Sequence, residues 1–582
     1  MPNVKSHQKM RQGRIKLHEI VEHLLTKVEA TKTSISSKNS LDKNFQNAWE
    51  IFEEKFPYYE EFAPFVQLKD QNLSDKLKEA GNKSFSKEKD YEEAIRYYTS
   101  AIRVAKNPFA SEGRQFIATC LSNLSAVYLE QKRWRDVIKA TSTAKNFCPN
   151  VKETIKKKLI FRESKAKAKI DNLDDLFDDD ESETQKLATG PELDQLNQGL
   201  KNLGIGETKF AKKLPKFDET PFISNENFPN CSDKLELKNH PEKGRYMVAN
   251  QNIPAGEIIM IEKTNIQVVD PSMTSKRCYN CLALCVSPIP CRCCRTVCYC
   301  SVVCEEKSWG ENGHDIECAY MASLVRSNTF QTVLRIILLG LKENPEMFLK
   351  EKDNPICAQE HSCKKKNGVN GKKQSKPFAM NYESILKGHF DLDVLPHDAL
   401  TAFIYFSIAL TRLLIQKEAI DPETQDIKKI SKFIFKHATV VQLNSISIQR
   451  SKFYEDNNKL EDYEMVAAGY FPTVALTNHS CATNTAMFFK GATCFLITVR
   501  RILAGEEVTN NYGPLFSEND KKERKEHLKS QYNFTCNCQA CFENWGKTHQ
   551  FKGLRYLRCP ACFQTQTTPL DRADYQICEF QG

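Results

Sequence analysis

No stretch of this 582-residue chain reads as an unbroken apolar run of the roughly 20 residues needed to cross a bilayer. The N-terminus opens with scattered Lys, Arg and His and lacks the apolar core of a secretory leader. Charge of one sign is also missing. Lys and Arg number 83 against 74 Asp and Glu, a formal net charge of +9, and no basic stripe interleaved with aromatics is present. These absences argue against a membrane or secreted protein and give no reason to expect direct nucleic-acid binding. Cytoplasm and nucleus are the expected compartments. What remains is an ordinary globular composition, 40% hydrophobic and 27% charged, with length enough for three or four domains.

Cysteine, by contrast, is plentiful. Most of the 23 cysteines fall between Cys278 and Cys318 or between Cys536 and Cys562. Such crowding reads as a disulfide framework or as metal sites. In a long chain without a secretory signal, metal is the better reading.

Residues 1–73 form a helical lead-in, with amphipathic periodicity from Ile15 to Val28 and again from Phe45 to Phe56. An internal repeat occupies 74–170. Its first unit carries Gly81, Phe85, Tyr91, Ala94, Tyr98 and Ala101 before Pro108, and its second Asn123, Ala126, Tyr128, Trp134, Ala144 and Pro149. The step from Tyr91 to Ala101 equals that from Trp134 to Ala144. Small residues at such points let antiparallel helices pack closely. The pattern resembles the tetratricopeptide repeat, with one extra residue in the first turn; an unrelated amphipathic bundle is the alternative. Residues 171–232 begin with the acidic run DNLDDLFDDDESE and read as a linker, a solvated tether. From 233 the pattern turns to short β segments broken by Gly and Pro. Residues 320–440 are helical, with a Lys/Gly/Asn-rich loop at 362–377, and 546–582 form a cysteine-bearing tail.

Within 278–318 the spacing is Cys278-x2-Cys281, Cys291-x2-Cys294, Cys300-x3-Cys304 and His314-x3-Cys318. Eight thiolate or imidazole ligands suffice for two tetrahedral zinc sites. A segment this short has too little core to fold alone, so metal would supply its folding energy. The ligand order, with Tyr299 beside Cys300 and Trp309 before His314, resembles the MYND finger. That resemblance implies interleaved pairs: Cys278, Cys281, Cys300 and Cys304 on one zinc, and Cys291, Cys294, His314 and Cys318 on the other. Cys285, Cys293 and Cys298 are then surplus.

Three further segments flank the finger. Lys243-Gly244-Arg245 precedes the turn Ala255-Gly256-Glu257; Asn478-His479-Ser480-Cys481 has Asn484 close behind; and Gly505-Glu506-Glu507-Val508-Thr509-Asn510-Asn511-Tyr512-Gly513 follows. In this order they resemble the SET domain of the SET-and-MYND methyltransferases, in the branch with N-terminal repeats. The expected fold is multidomain α+β. Helical repeats lead into a β-rich SET domain over 233–513, split by the zinc finger and a helical insert and followed by a zinc-binding post-SET segment at 530–545. The family also implies a threaded C-terminal segment, an exception to the usual avoidance of such connections.

The resemblance implies a protein-lysine N-methyltransferase using S-adenosylmethionine, acting on a histone or another protein. The lysine amine must lose its proton before attacking the methyl, and a dry aromatic channel favours that loss, while in-line placement supplies much of the rate. By similarity, Tyr512 is the catalytic channel tyrosine and also borders the cofactor. Asn478, His479 and Asn444 would hydrogen-bond the cofactor, Lys243, Gly244 and Arg245 would meet it largely through main chain, and Phe534 would stack on the adenine. Cys536-x-Cys538-x2-Cys541 lacks a fourth ligand, which the family takes from the NHSC cysteine, here Cys481, making three zinc ions in all. Phe471 stands where many relatives place a tyrosine. Cys559-x2-Cys562 has only Cys578 after it, an incomplete metal site. Relatives with such repeats continue into a further helical domain, so a chain stopping at Gly582 is expected to be a shortened form.

In the repeats, Lys78 and Asn82 share a helix face, Asn123 belongs to the second unit, and Lys158 and Arg162 recur at i, i+4. The set resembles the dicarboxylate clamp with which some such domains hold the acidic C-termini of chaperones, cations and amides converging on carboxylates. Solvated charges on a basic helix are the plainer alternative. For the whole chain the rival to an enzyme is an adaptor that recruits co-repressors or chaperones through finger and repeats.

Overall fold

The computed structural model describes residues 45–50, 69–170, 222–324, 327–343, 378–389, 392, 397–423, 426–454, 459–546, 554–558 and 565–569. The helix expected at Ile15 to Val28, the acidic run, the 362–377 loop, and Cys559, Cys562 and Cys578 lie outside the described residues.

After helical residues 45–50 come five helices: α1 Gln71–Lys83, α2 Tyr91–Val104, α3 Ser111–Glu130, α4 Trp134–Phe147 and α5 Glu153–Ile170. Asp70 caps α1 by accepting from Leu73 N, and Asp90 caps α2 through Glu93 N. Short connections make successive helices antiparallel. The small residues of the repeat pattern are the contact points. Ala94, Ala101, Ala140 and Ala144 are fully buried, and a Cβ on Gly81 would stand 2.8 Å from the Tyr98 ring. The extra residue in the first turn has a visible home: α1 ends in a π-helical turn, Ser84–Glu88, closed by Lys89 at φ 59°. A wider turn takes up one residue without unwinding the helix.

The helices rest on the cysteine-rich finger. The Tyr128 hydroxyl donates to the Val286 carbonyl at 2.7 Å, Arg103 donates to that of Arg295 at 3.0 Å, and Thr143 and Ser287 hydroxyls pair at 3.0 Å. One continuous apolar core runs through both. The finger itself is a small hairpin, β5 Ile289–Pro290 with β6 Cys298–Tyr299, followed by α6 Val302–Gly310, which Ser301 caps through Cys304 N.

The β-rich part consists of small sheets, as its broken alternation predicts. β1 Leu235–His240 and β2 Gly244–Ala249 form a hairpin. β3 Ile258–Lys263 pairs with β11 Thr493–Thr498, itself paired with β10 Thr485–Lys490. β4 Gln267–Val269, β8 Lys459–Tyr470 and β7 Ser445–Tyr454 form a third sheet. β9 Asn478–His479 and β12 Thr509–Asn510 run parallel, bringing two motifs side by side. A last hairpin joins β13 Leu554–Arg558 to β14 Thr565–Pro569. Residues 224–232, read by composition as linker, already belong to this fold. Ser224 bridges Ser232, Cys231 bridges Met260, and Cys231 is fully buried; polar composition hid a strand-like return of the main chain.

The insert contributes α7 Asn328–Glu343, α8 His397–Gln416 and α9 Ile427–Asn444. Contrary to the reading of apolar runs, one window within the described residues, Ala399–Gln416, is long and apolar enough to cross a membrane, at mean hydropathy 1.6. It is 72% buried inside the protein, and Arg412 within it lies over the Trp49 ring at 5.0 Å. An insert core formed by α7, α8 and α9 accounts for the composition.

Within that core His437 is neutral. Its Nδ1–H donates to the Phe433 carbonyl at 2.7 Å, and its Nε2 accepts from the Tyr382 hydroxyl at 3.0 Å. Burial pushes its pKa down to about 4. Between about pH 6.5 and 4 the unfolded chain therefore binds a proton that the folded chain refuses. The stabilisation is complete above the ordinary histidine value and is lost as pH falls through this window. Acidification from pH 7 to 5 should cost about 2 kcal/mol at this site, and urea unfolding of a His437→Gln variant should show a correspondingly flatter pH dependence than wild type.

Candidate active site and metal centres

Twelve cysteine and histidine side chains converge in three groups of four: Cys278, Cys281, Cys300 and Cys304; Cys291, Cys294, His314 and Cys318; Cys481, Cys536, Cys538 and Cys541. Within each group the ligand atoms lie within 4.8 Å of one another. Sulfur separations are 3.5 Å for Cys281–Cys300, 3.7 Å for Cys291–Cys318 and 3.5 Å for Cys481–Cys541. These are far too long for disulfides. A tetrahedral zinc with bonds of about 2.3 Å sets its sulfurs about 3.8 Å apart, so each group has the dimensions of a closed four-ligand site. Of the surplus thiols, Cys293 is exposed, Cys298 Sγ lies 3.5 Å from the Thr274 carbonyl oxygen, and Cys285 is buried against Cys278.

Two of the groups have buried charged partners. His314 Nε2 faces Cys291 at 3.4 Å, while its Nδ1 lies 3.5 Å from Glu317 Oε2. Arg335 on α7 grips Glu317 at 2.7 and 3.1 Å, and the Tyr279 hydroxyl donates to it at 2.8 Å. Burial by itself would raise the Glu317 carboxyl, but Arg335 and His314 bring it down to about 2. A carboxylate behind a ligating imidazole fixes its tautomer and orientation, here with an insert helix as the anchor. Arg524, fully buried on α10 Lys521–Tyr532, donates to the carbonyls of Asn519 at 2.7 Å and Ala540 at 3.1 Å, and points at Cys541 Sγ at 3.8 Å.

Beside the third group lies an aromatic enclosure. The Tyr512 ring centroid is 5.4 Å from that of His479 and 5.1 Å from that of Tyr532, and His479 is 6.0 Å from Phe534. The Tyr512 hydroxyl donates to the Thr477 carbonyl at 2.8 Å. Burial pushes that hydroxyl well above the ordinary tyrosine range, so it stays protonated. His479 Nδ1 accepts from Tyr512 N at 3.0 Å, which puts its proton on Nε2, 3.2 Å from Cys481 Sγ. Burial lowers the His479 pKa to about 4, and the ring is neutral. α10 ends at Asn533 in the left-handed region, φ 57°. That reversal sends Phe534 back towards His479, with Tyr532 beside Tyr512.

The other expected cofactor residues divide into two sets. Asn478 Nδ2 donates to Glu507 Oε1 at 2.9 Å and sits 3.4 Å from the Lys243 carbonyl, while Lys243 Nζ pairs with Glu507 Oε2 at 2.8 Å. Gly244 adopts φ 68° with open space around it, so backbone freedom explains the glycine. Arg245 instead donates to the Lys387 carbonyl and lies over Phe378. The Asn444 amide is engaged by the main chain of His389 and the Val440 carbonyl. Both therefore steady the 387–389 segment through their side chains. Phe471 is buried beside Phe489.

Tyr532 and Glu507 were missed by the sequence reading. The aromatic pair around Asn533 and the doubled carboxylate Glu506-Glu507 were the available signals. Their roles separate only in three dimensions, for Glu506 is occupied by Arg500 at 2.6 Å whereas Glu507 joins all three motif segments.

A family model described as the SET domain matches residues 244–513, spanning the finger and the insert as well as the flanking motifs. The human "Protein-lysine N-methyltransferase SMYD4" is 24% identical over 549 residues, covering 80% of this chain. Residues 244–513 thus match a SET domain, and the chain is similar to relatives of the SET-and-MYND kind. The mouse protein of the same name is 26% identical over 54% of the chain, and the bovine "N-lysine methyltransferase SMYD2" 25% identical over 53%. This SET-domain chain spans 66% of the human relative's length, 47% of the mouse one and 60% of the bovine one. A solved SET domain, that of LSMT bound to lysine and AdoHcy, aligns with 54% of each chain at 12% identity and a TM-score of 0.24, too loosely to carry an argument.

In the N-terminal helices, two of the expected clamp residues touch directly and two others pack nearby on α1 and α5. Asn82 Oδ1 accepts from Asn123 Nδ2 at 3.0 Å and from the Tyr98 hydroxyl at 2.8 Å. Arg162 donates to the Ser122 carbonyl at 2.6 Å, and Lys78 lies over the Phe116 ring while paired to Asp75 at 3.0 Å. Lys158, one turn before Arg162, is exposed.

Proposed function

We propose that this protein is a protein-lysine N-methyltransferase that uses S-adenosylmethionine. The observation that carries the reading is the enclosure of His479, Tyr512, Tyr532 and Phe534, with a protonated tyrosine hydroxyl held on a main-chain carbonyl. S-adenosylmethionine, when bound, supplies an electrophilic methyl group on a sulfonium. The residues present suit it. Asn478, the Glu507 carboxylate and the Lys243 main chain offer the donors and acceptors an amino-acid end requires, and the Phe534 and His479 faces suit a purine.

The chain's own part is to prepare the amine. Aromatic walls exclude water and disfavour the ammonium form of an entering lysine. The Tyr512 hydroxyl and the Thr477 carbonyl fix the direction from which the nitrogen lone pair approaches. Neutral His479 holds the Tyr512 main chain without adding a charge that would repel the substrate. Three zinc ions, one in each four-ligand group, would hold the finger closed and tie Tyr532 and Phe534 over the channel. Calorimetry of S-adenosylmethionine binding to zinc-replete protein, with transfer of radiolabelled methyl to cell-lysate proteins, tests the reading. Folded protein that binds no cofactor would sink it.

A partner-binding role in the N-terminal helices has its own support in the Asn82–Asn123 contact, with Lys78 on the same helix as Asn82 and Arg162 bonded to the neighbouring Ser122. The ligand we propose for it is an acidic peptide ending in a free carboxylate, of the kind chaperones carry. Lys158→Glu, an exposed change that costs the fold nothing, should weaken such a peptide about tenfold. An amidated peptide should bind wild type no better than the variant binds the free acid; equal binding of both peptides would remove the clamp. Co-repressor recruitment by the finger finds less support, since its Val286, Arg295 and Thr296 carbonyls and the Ser287 hydroxyl are already engaged by the helices.

A further inference from the structure

We infer that Glu262 is a positioning residue for the methyl-transfer site, capping from a distant strand the helical turn that holds the Tyr512 hydroxyl; the inference rests on the methyltransferase reading. Glu262 lies on β3, fully buried, and outside every motif the sequence brought forward. Its carboxylate accepts from Thr473 N at 3.0 and 3.1 Å, Thr473 Oγ1 at 2.7 Å, Val474 N at 3.0 Å and Asn230 Nδ2 at 3.2 Å. No cation among the described residues pairs with it. A buried carboxylate without a counter-charge is costly and persists only where donors hold it in place.

Those donors identify its task. Val474–Leu476 is a single 3-10 turn, and Thr473 stands at its N-cap without capping it. The hydroxyl that would ordinarily bond back to the turn donates to Glu262 instead. The open N–H groups at the start of the turn, which need an acceptor, find it 211 residues away along the chain. Burial pushes the Glu262 carboxyl above its ordinary value, while these donors pull it back. The Thr473 N–H, Thr473 hydroxyl, Val474 N–H and Asn230 amide all donate to it, so the carboxyl oxygens serve as the acceptors of the turn.

At the far end of the same turn, the Thr477 carbonyl accepts the Tyr512 hydroxyl, and Asn478 and His479 follow directly. A three-residue turn is only about 6 Å long. A shift at its start is carried to the carbonyl that orients Tyr512, and misplacement of about 1 Å near a reacting centre can cost 10²-fold in rate. Glu262 thus acts on the chemistry through Thr477, without touching the substrate.

The test compares wild type with Glu262→Gln and the milder Thr473→Val, all full-length and zinc-replete, well below their melting temperatures. Label transfer from S-adenosylmethionine to a fixed cell lysate should slow about tenfold in Glu262→Gln at saturating cofactor, and less in Thr473→Val. Hydrogen exchange should quicken in peptides covering 473–481 and 509–513 and stay unchanged in the finger. Wild-type transfer rates with only a lowered melting temperature would reduce Glu262 to a structural role and overturn the inference. So would unchanged exchange in those peptides. Absence of label transfer by wild type would instead overturn the methyltransferase reading, while the exchange data still decide whether Glu262 holds the turn.

Discussion

Tyr512→Phe should lower methyl transfer by about 10²-fold while leaving the binding of S-adenosylmethionine nearly unchanged. The ring that the substitution keeps makes the packing contacts, at 5.4 Å to His479 and 5.1 Å to Tyr532. The main-chain bond from Tyr512 N to His479 Nδ1 is kept as well. What is removed is one hydroxyl, held on the Thr477 carbonyl at 2.8 Å. Its loss leaves a buried carbonyl without its donor, at a cost of about 1–3 kcal/mol, and leaves an incoming amine with no fixed direction of approach. Because burial holds the hydroxyl well above the ordinary tyrosine range, its protonation is not expected to limit the wild-type rate through pH 9. Radiolabel transfer and calorimetry on the same preparations check both halves. Turnover within a factor of two of wild type would remove Tyr512 from the chemistry, and loss of cofactor binding would show that the hydroxyl serves the cofactor site instead of the transfer step.

Eleven of the twelve clustered cysteine and histidine residues were legible as candidate ligands because a metal demands particular atoms at short spacings, and such spacings survive in a linear sequence. Cys481 is the exception. Its partners begin 55 residues later, and nothing local marks it as a ligand; only the resemblance to a family paired it with Cys536, Cys538 and Cys541. The small sheets were legible from Gly- and Pro-broken alternation, and the helical repeats from aromatic and alanine positions. Less visible were features whose meaning comes from a remote partner. Glu262 reads as an ordinary strand residue until Thr473 and Val474 are seen across from it. Tyr532 reads as the end of a charged helix until Asn533 reverses the chain. Arg245 and Asn444 lie in motifs the family uses for cofactor, yet their side chains are spent on the 387–389 main chain. A short motif fixes residue types; which neighbour takes up each hydrogen bond is decided by the insert packed around it.

Cys481→Ser should reduce bound zinc from three ions per chain to two and take most of the methyl transfer with it. Cys481 is the only ligand of its group that comes from the strand region, and the other three lie beyond α10. A metal joining segments 55 residues apart removes unfolded-state entropy in the manner of a cross-link, worth about 4 kcal/mol for a loop of that length. Loss of the ion also strands Arg524. That guanidinium is fully buried, and its acceptors are carbonyls and the Cys541 sulfur. Four thiolates around Zn2+ carry a net charge of −2 that balances it; protonated thiols do not, and an uncompensated buried cation is destabilising by several kcal/mol. α10 should therefore loosen, and with it Tyr532 and Phe534, two of the four walls of the enclosure. Zinc counted by mass spectrometry, cofactor affinity by calorimetry and exchange of peptides covering 521–542 are the measurements. The finger should keep both its ions and its protection, because its ligands and its anchor through Glu317 and Arg335 are untouched. A variant that retains three zinc ions would show that Cys481 is not the fourth ligand, and one that loses its zinc but still methylates at the wild-type rate would show that the tail does not shape the channel.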